Sequence, residues 1–211
     1  LREGSLALPF LFICYKYYIN IYCLFCERIY MDKKIIIIDD VYTQEEIENN
    51  EASIINDAKW EYNAVSNEDA YGAESTIFFI SNKVNSLLQQ KIISDFLLSA
   101  YIQHSISMPK DKQSEDRVYL NGQTYGLDGQ WHMDIDSPNY YTLLYMVNTG
   151  DVSNIGDFQY INPSNKDVEE TIPFKSGRFV LFPSDWKHRG LGPTVKNKMR
   201  VTLAYKTLKF K

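Results

Sequence analysis

The sequence predicts an α+β chain, mainly β, in which helices come first and an eight-stranded core of sandwich or jelly-roll type follows. Three observations carry that expectation. Before residue 105, two stretches have helical periodicity. From residue 117 onward, the apolar runs are short and divided by turn residues. Those runs number eight, at the spacing of strands in a sandwich or barrel. The composition agrees: 211 residues, 45% hydrophobic and 23% charged, can bury a sizeable core in one domain. A disordered or fibrous chain is excluded.

The elements follow in order. Residues 34–39 hold four consecutive isoleucines bounded by charge, a β-branched run that reads as a buried strand. Thr43 and Glu46 have the spacing of a capping box, so a helix is expected over about 44–57. Residues 60–65 and 75–80 read as strands. Over 81–105, Val84, Leu87, Leu88, Ile92, Phe96, Leu97 and Tyr101 recur at three and four residues, the longest helical stretch. Residues 108–116 are polar, contain Pro109 and read as a loop. The eight β runs are 117–121, 130–135, 140–148, 157–161, 169–174, 178–182, 186–190 and 199–206.

Residues 1–30 read differently. They hold eight aromatics and all three cysteines, Cys14, Cys23 and Cys26. An odd set at one end is not a disulfide framework, and a reduced, cytoplasmic compartment is expected for the rest. Lys16 and Asn20 interrupt the apolar run, so a membrane span is a poor fit unless residues 5–26 insert. Met31 opens what looks like the start of a compact protein. Residues 1–30 are therefore expected to be a non-native or appended segment, with a docking helix and a membrane anchor as the alternatives. Residues 31–211 form the single expected domain, with its β core at about 117–208. A chain beginning at Met31 is expected to stay soluble and active.

The net charge of −5 gives no footprint for a polyanion, so a nucleic-acid partner is not expected. The chemistry concentrates in a few side chains. His132 and Asp134 fall in the second expected β run, where residues two apart share a face. His188 lies 56 residues on, in the seventh run. Two His and one carboxylate are the facial set of non-haem iron oxygenases, which leaves open positions on the metal. Taken alone, His-x-Asp arises readily by chance. Arg200 strengthens it: with Thr202 it shares one face of the last run, and an inward Arg there needs an anionic partner. The bland reading is a surface Arg on an edge strand.

An ordered series of segments then resembles a known family. Residues 118–125 (VYLNGQTY), His132-x-Asp134, residues 142–148 (TLLYMVN), Gly156-Asp157-Phe158, residues 177–188 (GRFVLFPSDWKH) and Arg200-Val201-Thr202 resemble the core of Fe(II)/2-oxoglutarate-dependent dioxygenases of the prolyl 4-hydroxylase-like type. The likeness covers a little under half the chain. It implies a double-stranded β-helix (jelly roll) packed against the N-terminal helices. It implies Fe(II) held by His132, Asp134 and His188, with 2-oxoglutarate as co-substrate and ascorbate as a stimulant. Arg200 would bind the distal carboxylate of 2-oxoglutarate, with Thr202 assisting. Tyr119, Tyr125 and Tyr145 would line the co-substrate pocket, though with 16 Tyr in the chain plain core is the competing reading.

The implied reaction hydroxylates a C–H bond, on a prolyl residue (peptidyl or free), and releases succinate and CO2. The expected partner is a peptide or small molecule; oligomeric state is left open. Two alternatives stand: a nucleic-acid dealkylating oxygenase on the same fold, and a non-catalytic jelly-roll metal-binding module. Dealkylating enzymes usually carry a second Arg six residues past the anchor, where this chain has Lys206. Asp157 replaces the second Gly of a usual pair, and Lys198 shares Arg200's face by alternation, so it is a second candidate anchor. His104 has no counterpart. Trp131 and Trp186 stand near the ligands and either line the pocket or pack the sheet. Substrate contacts are expected from 66–75, 108–116 and 136–141.

Overall fold

Alternation of side chains across one large antiparallel sheet organises the molecule. The computed structural model describes residues 33–64, 77–81, 86–104, 106, 117–165 and 168–209. The expected loop over 108–116, the segment 66–75 and residues 1–30 lie outside the described residues. The strands are β1 (Ile36–Ile38), β2 (Glu61–Ala64), β3 (Phe78–Ser81), β4 (Arg117–Thr124), β5 (Tyr140–Met146), β6 (Phe158–Ile161), β7 (Glu169–Ile172), β8 (Phe179–Pro183), β9 (His188–Gly190) and β10 (Met199–Lys209). Helix α1 is Gln44–Asp57 and α2 is Ser86–His104. The larger sheet has the order β1-β8-β5-β10-β4-β3-β2, and a smaller one has β7-β6-β9.

The two faces of the large sheet bury different cores. On one face, Ile47 and Ile54 of α1 and Ile92, Phe96 and Ala100 of α2 pack on Leu143, Tyr145, Phe179 and Leu203. On the other, Leu144, Met146, Phe182 and Ala204 meet Phe158, Tyr160 and Ile172 of the small sheet. Successive residues of a strand point to opposite faces, so Leu143 and Leu144 serve different cores. Helix α1 starts as expected: the Thr43 hydroxyl accepts from the Glu46 amide at 3.3 Å, and the Thr43 amide donates to the Glu46 carboxylate at 2.9 Å.

One expected strand does not form. Residues 130–135 make a single bridge, His132 to His188, with backbone hydrogen bonds of 3.1 and 2.9 Å. Beyond it, the Asp134 and Ile135 amides both donate to the Ser184 carbonyl, at 2.9 and 3.3 Å. Two donors on one acceptor bend the chain around the turn between β8 and β9 and end the ladder. The β core therefore has seven named strands and one bridge where eight strands were expected.

Candidate active site

His132, Asp134 and His188 converge on one point although they do not share a strand face. The bridge fixes the backbone of both histidines, and the bent segment after it swings Asp134 inward. Their ligand atoms lie within 4.8 Å of one another. His132 Nε2 is 3.6 Å from Asp134 Oδ1, and His188 Nε2 is 3.5 Å from Asp134 Oδ2. Each imidazole has its Nδ1 against a backbone carbonyl, Gln130 at 2.9 Å and Trp186 at 2.8 Å. A carbonyl only accepts, so Nδ1 carries the proton and the Nε2 lone pair faces Asp134. That is the tautomer a metal ligand needs. Burial lowers the pKa of His188 and keeps the imidazole neutral.

Asp134 is held in place from two sides. Its Oδ2 accepts from Thr142 Oγ1 of β5 at 2.6 Å, and its Oδ1 pairs with the Lys206 ammonium of β10. Burial opposes its charge, but the Lys206 ammonium pulls the other way, and the carboxyl stays well below its usual range. Among the described residues this trio is the one group of three His, Cys, Asp or Glu side chains placed to hold a metal ion. Two neutral nitrogens and one carboxylate with open space beside them fit a six-coordinate divalent metal of the Fe(II) type.

Arg200 closes the other end of the same cavity. It is 2% exposed. Its Nε donates to the Gly156 carbonyl at 3.1 Å and its Nη1 to Gln123 Oε1 at 2.9 Å, while Nη2 is buried with no hydrogen-bond partner. Burial lowers its pKa to about 10, with the Asp157 carboxylate opposing. A guanidinium buried with a spare donor is costly unless an anion completes it, and a carboxylate matches that fork. Gly190 leaves the space: a Cβ there would lie 2.7 Å from Gln123 Oε1 and 2.8 Å from Arg200 Nη1.

Thr202, buried on the same face of β10, lines the cavity as expected. Tyr119 lines it too, with the Lys206 ammonium 5.0 Å from its ring centre. Tyr145 does not. It points to the helix side, 1% exposed, beside Tyr42 and Phe179, because it alternates with Leu144. Tyr125 is 52% exposed in the turn after β4 and is also outside the cavity. Lys198 lies before β10, where its ammonium binds Asp151 and the Ser153 carbonyl at the surface, away from the cavity. Trp186 is buried against Tyr160 in the small-sheet core, and Trp131 packs under the Arg189 guanidinium. His104 is exposed at the end of α2. Asp157 takes up its turn position by accepting from the Phe174 amide at 2.9 Å.

The cavity also holds four polar side chains to which the sequence assigned no role in the site: Asn121, Gln123, Thr142 and Lys206, the last named there only as a departure from the dealkylating pattern. Gln123 Nε2 donates to the Leu127 and Gly190 carbonyls, at 3.0 and 2.8 Å, which aims its Oε1 at Arg200. Asn121 Oδ1 is buried without a hydrogen-bond partner. The signal that finds Lys206 is the alternation that pairs Arg200 with Thr202, carried two steps further along β10.

Comparison with solved structures agrees with this fold. A prolyl-4-hydroxylase from Pseudomonas putida superposes with a TM-score of 0.56 at 12% identity, covering 84% of this chain and 94% of that one. A Trichoplax adhaerens prolyl hydroxylase, solved with a hypoxia inducible factor peptide fragment, gives 0.55 at 14% identity over 83% of each chain. HygX from Streptomyces hygroscopicus, solved with nickel, 2-oxoglutarate and hygromycin B, gives 0.57 at 11% identity over 82% of each chain. The chain has the fold of the 2-oxoglutarate- and Fe(II)-dependent oxygenases. In that oxygenase fold the core is a jelly roll, here with helices on the outer face of the large sheet. No protein-family model and no curated protein matches the sequence. No helix among the described residues is long and apolar enough to cross a membrane.

Proposed function

We propose that this chain is an Fe(II)- and 2-oxoglutarate-dependent dioxygenase that hydroxylates a C–H bond, on a prolyl residue or a related small molecule. The observation that carries the reading is the unpartnered Nη2 of buried Arg200 in one cavity with the two Nε2 atoms and Asp134. His132, Asp134 and His188 would hold the iron, and Arg200 the distal carboxylate of 2-oxoglutarate. With iron and 2-oxoglutarate bound there, O2 would be the oxidant, one of its oxygen atoms going into succinate as 2-oxoglutarate loses CO2 and the other into the substrate C–H bond.

The protein's own part is placement. Two backbone carbonyls fix the imidazole tautomers, Thr142 and Lys206 orient Asp134, and Gln123 aims Arg200. Thr202 and Tyr119 wall the space between the two ends. Prolyl specificity draws support from the two prolyl hydroxylases among the similar structures; the hygromycin-bound one shows the same fold with a small molecule. A non-catalytic module would not need the full set of ligands and a buried guanidinium with one nitrogen unpartnered, and nothing in the site favours nucleic acid.

The test is O2-dependent succinate formation from 2-oxoglutarate by the purified, Fe(II)-loaded protein, with calorimetric binding of metal and of 2-oxoglutarate alongside. Saturable binding of both with succinate release is the expected result. No binding of 2-oxoglutarate to the metal-loaded protein would overturn the assignment.

A further inference from the structure

Asn121 is a polar group of the cavity that the oxygenase reading leaves unused. It stands on β4 between Tyr119 and Gln123, on the cavity face. Its register partners are Thr202 of β10 on one side and Ile80 of β3 on the other. Its Oδ1 is buried and has no hydrogen-bond partner. A buried acceptor left unpaired is costly, so this corner of the cavity is complete only when a donor arrives. 2-Oxoglutarate cannot bring one: at neutral pH it carries two carboxylates and a ketone, all acceptors. The ring N–H groups of His132 and His188 point at backbone carbonyls, and the Lys206 ammonium is engaged with Asp134. The reaction needs one further ligand, the primary substrate, and the missing donor is assigned to it.

The strands beside Asn121 show what kind of body that donor belongs to. Phe78 and Ile80 of β3 alternate onto the cavity face, half-buried, while Phe79 between them turns the other way and packs on Tyr62. With Ala64 of β2 they make an apolar flank next to the carboxamide. One polar group set against an apolar wall orients a ligand of matching pattern, an apolar group with a single donor. A carboxamide oxygen is not a counter-ion, and a buried ammonium needs one, so the donor is neutral. An amide N–H and a hydroxyl both qualify.

We infer that Asn121 is a specificity-determining residue: its Oδ1 accepts from a neutral N–H or O–H donor on the primary substrate, whose apolar body lies on Phe78 and Ile80. The inference rests on the oxygenase reading above and deepens it. An internal prolyl residue meets the requirement through the amide N–H of the residue that follows it.

The test uses the full chain loaded with Co(II) and 2-oxoglutarate. Co(II) is paramagnetic and speeds the proton relaxation of a small molecule bound near it. Two pairs of probes are titrated: N-acetyl-L-proline methylamide with its dimethylamide, and cyclohexylmethanol with its methyl ether. Each pair keeps the apolar body and differs in the one donor, and the pair that responds tells amide from hydroxyl. In at least one pair the donor-bearing member is expected to bind about tenfold tighter than its methylated partner. Asn121→Leu should abolish that preference, while Co(II) and 2-oxoglutarate affinity hold. Three results overturn the inference: no preference for the donor in either pair with the wild type, a preference that survives in Asn121→Leu, or a loss of 2-oxoglutarate affinity in Asn121→Leu as large as in Arg200→Ala. If Asn121→Leu fails to fold, judged by circular dichroism, Asn121→Ala and Asn121→Ser carry the same comparison. Failure of the wild type to bind Co(II) or 2-oxoglutarate instead overturns the oxygenase reading itself.

Discussion

Gln123 of β4 and Arg200 of β10 face each other across the sheet and share a 2.9 Å hydrogen bond, with the Gln123 amide locked by two backbone carbonyls behind it. The glutamine is neutral, so it orients the guanidinium without cancelling its charge. Gln123→Leu is expected to weaken 2-oxoglutarate binding about tenfold, the size of one lost charge-assisted hydrogen bond. Metal affinity should hold. Gln123→Glu should be worse, because it supplies Arg200 with an internal carboxylate. Calorimetric titration of 2-oxoglutarate into the metal-loaded variants checks the order; Gln123→Glu binding better than Gln123→Leu would refute it.

The two ends of the cavity should fail separately. His132→Ala removes one of two nitrogen ligands and is expected to abolish metal binding. Arg200→Ala leaves the trio intact and is expected to keep metal while losing 2-oxoglutarate affinity by about a hundredfold or more. Equal loss of metal in both variants would contradict the roles assigned to them.

Most of the fold is legible in the sequence because its signals are local. The isoleucine run becomes β1, and Thr43 with Glu46 caps α1. Arg200 and Thr202 point inward as alternation requires. Other features depend on partners far away in sequence. Residues 130–135 fail as a strand because Ser184, some fifty residues later, takes both amides that a ladder would have used. The convergence of His132 and Asp134 was read from strand periodicity, yet it arises from a bridge and a bend. The resemblance puts Tyr145 in the pocket, but alternation along β5 turns it to the helix side, into the plain core that is its competing reading; β5 is buried on both faces, so hydrophobicity alone gives no phase that would show this.

Acid should loosen the join between β1 and β8. Arg178 holds Asp39 through paired 2.8 Å bonds from Nε and Nη2, just past the end of β1. Those bonds, against some burial, place the Asp39 carboxyl below its ordinary 3.8. A depressed carboxylate adds stability above its unfolded value and loses it as pH falls through the folded one. The pair is partly exposed, so its contribution is about 1 kcal/mol or less. Asp39→Asn should be less stable than wild type at neutral pH, and the two should converge in strong acid, once Asp39 is protonated in the folded state too. Urea midpoints at both pH values decide this; a constant gap would refute it.

Gly156 sits at φ +100°, and a Cβ there would lie 2.1 Å from the Leu191 carbonyl oxygen. Its own carbonyl accepts from Arg200 Nε. Gly156→Ala is therefore expected to destabilise by about 1–3 kcal/mol and to disturb the anchor in the same step. A lower urea midpoint together with weaker 2-oxoglutarate binding is the expected pair of results. Loss of stability with anchor affinity untouched would show that the turn does not position Arg200.

Thr142 gives the sharpest separation of orientation from ligation. Its hydroxyl donates to Asp134 Oδ2 at 2.6 Å and lies 3.0 Å from Ser184 Oγ, so it fixes the carboxylate without being a ligand itself. Thr142→Val keeps the shape and removes the donor. Partners that orient a ligand are worth about 10–100-fold in metal affinity, so the variant should bind Co(II) weaker by that factor and still fold. Thr142→Ser keeps the hydroxyl and should recover most of the affinity. Ligand loss, as in Asp134→Ala, should instead remove binding altogether, and no Thr142 variant should approach that. If Thr142→Val binds Co(II) as tightly as wild type, Asp134 is held by the Lys206 pair and its backbone alone.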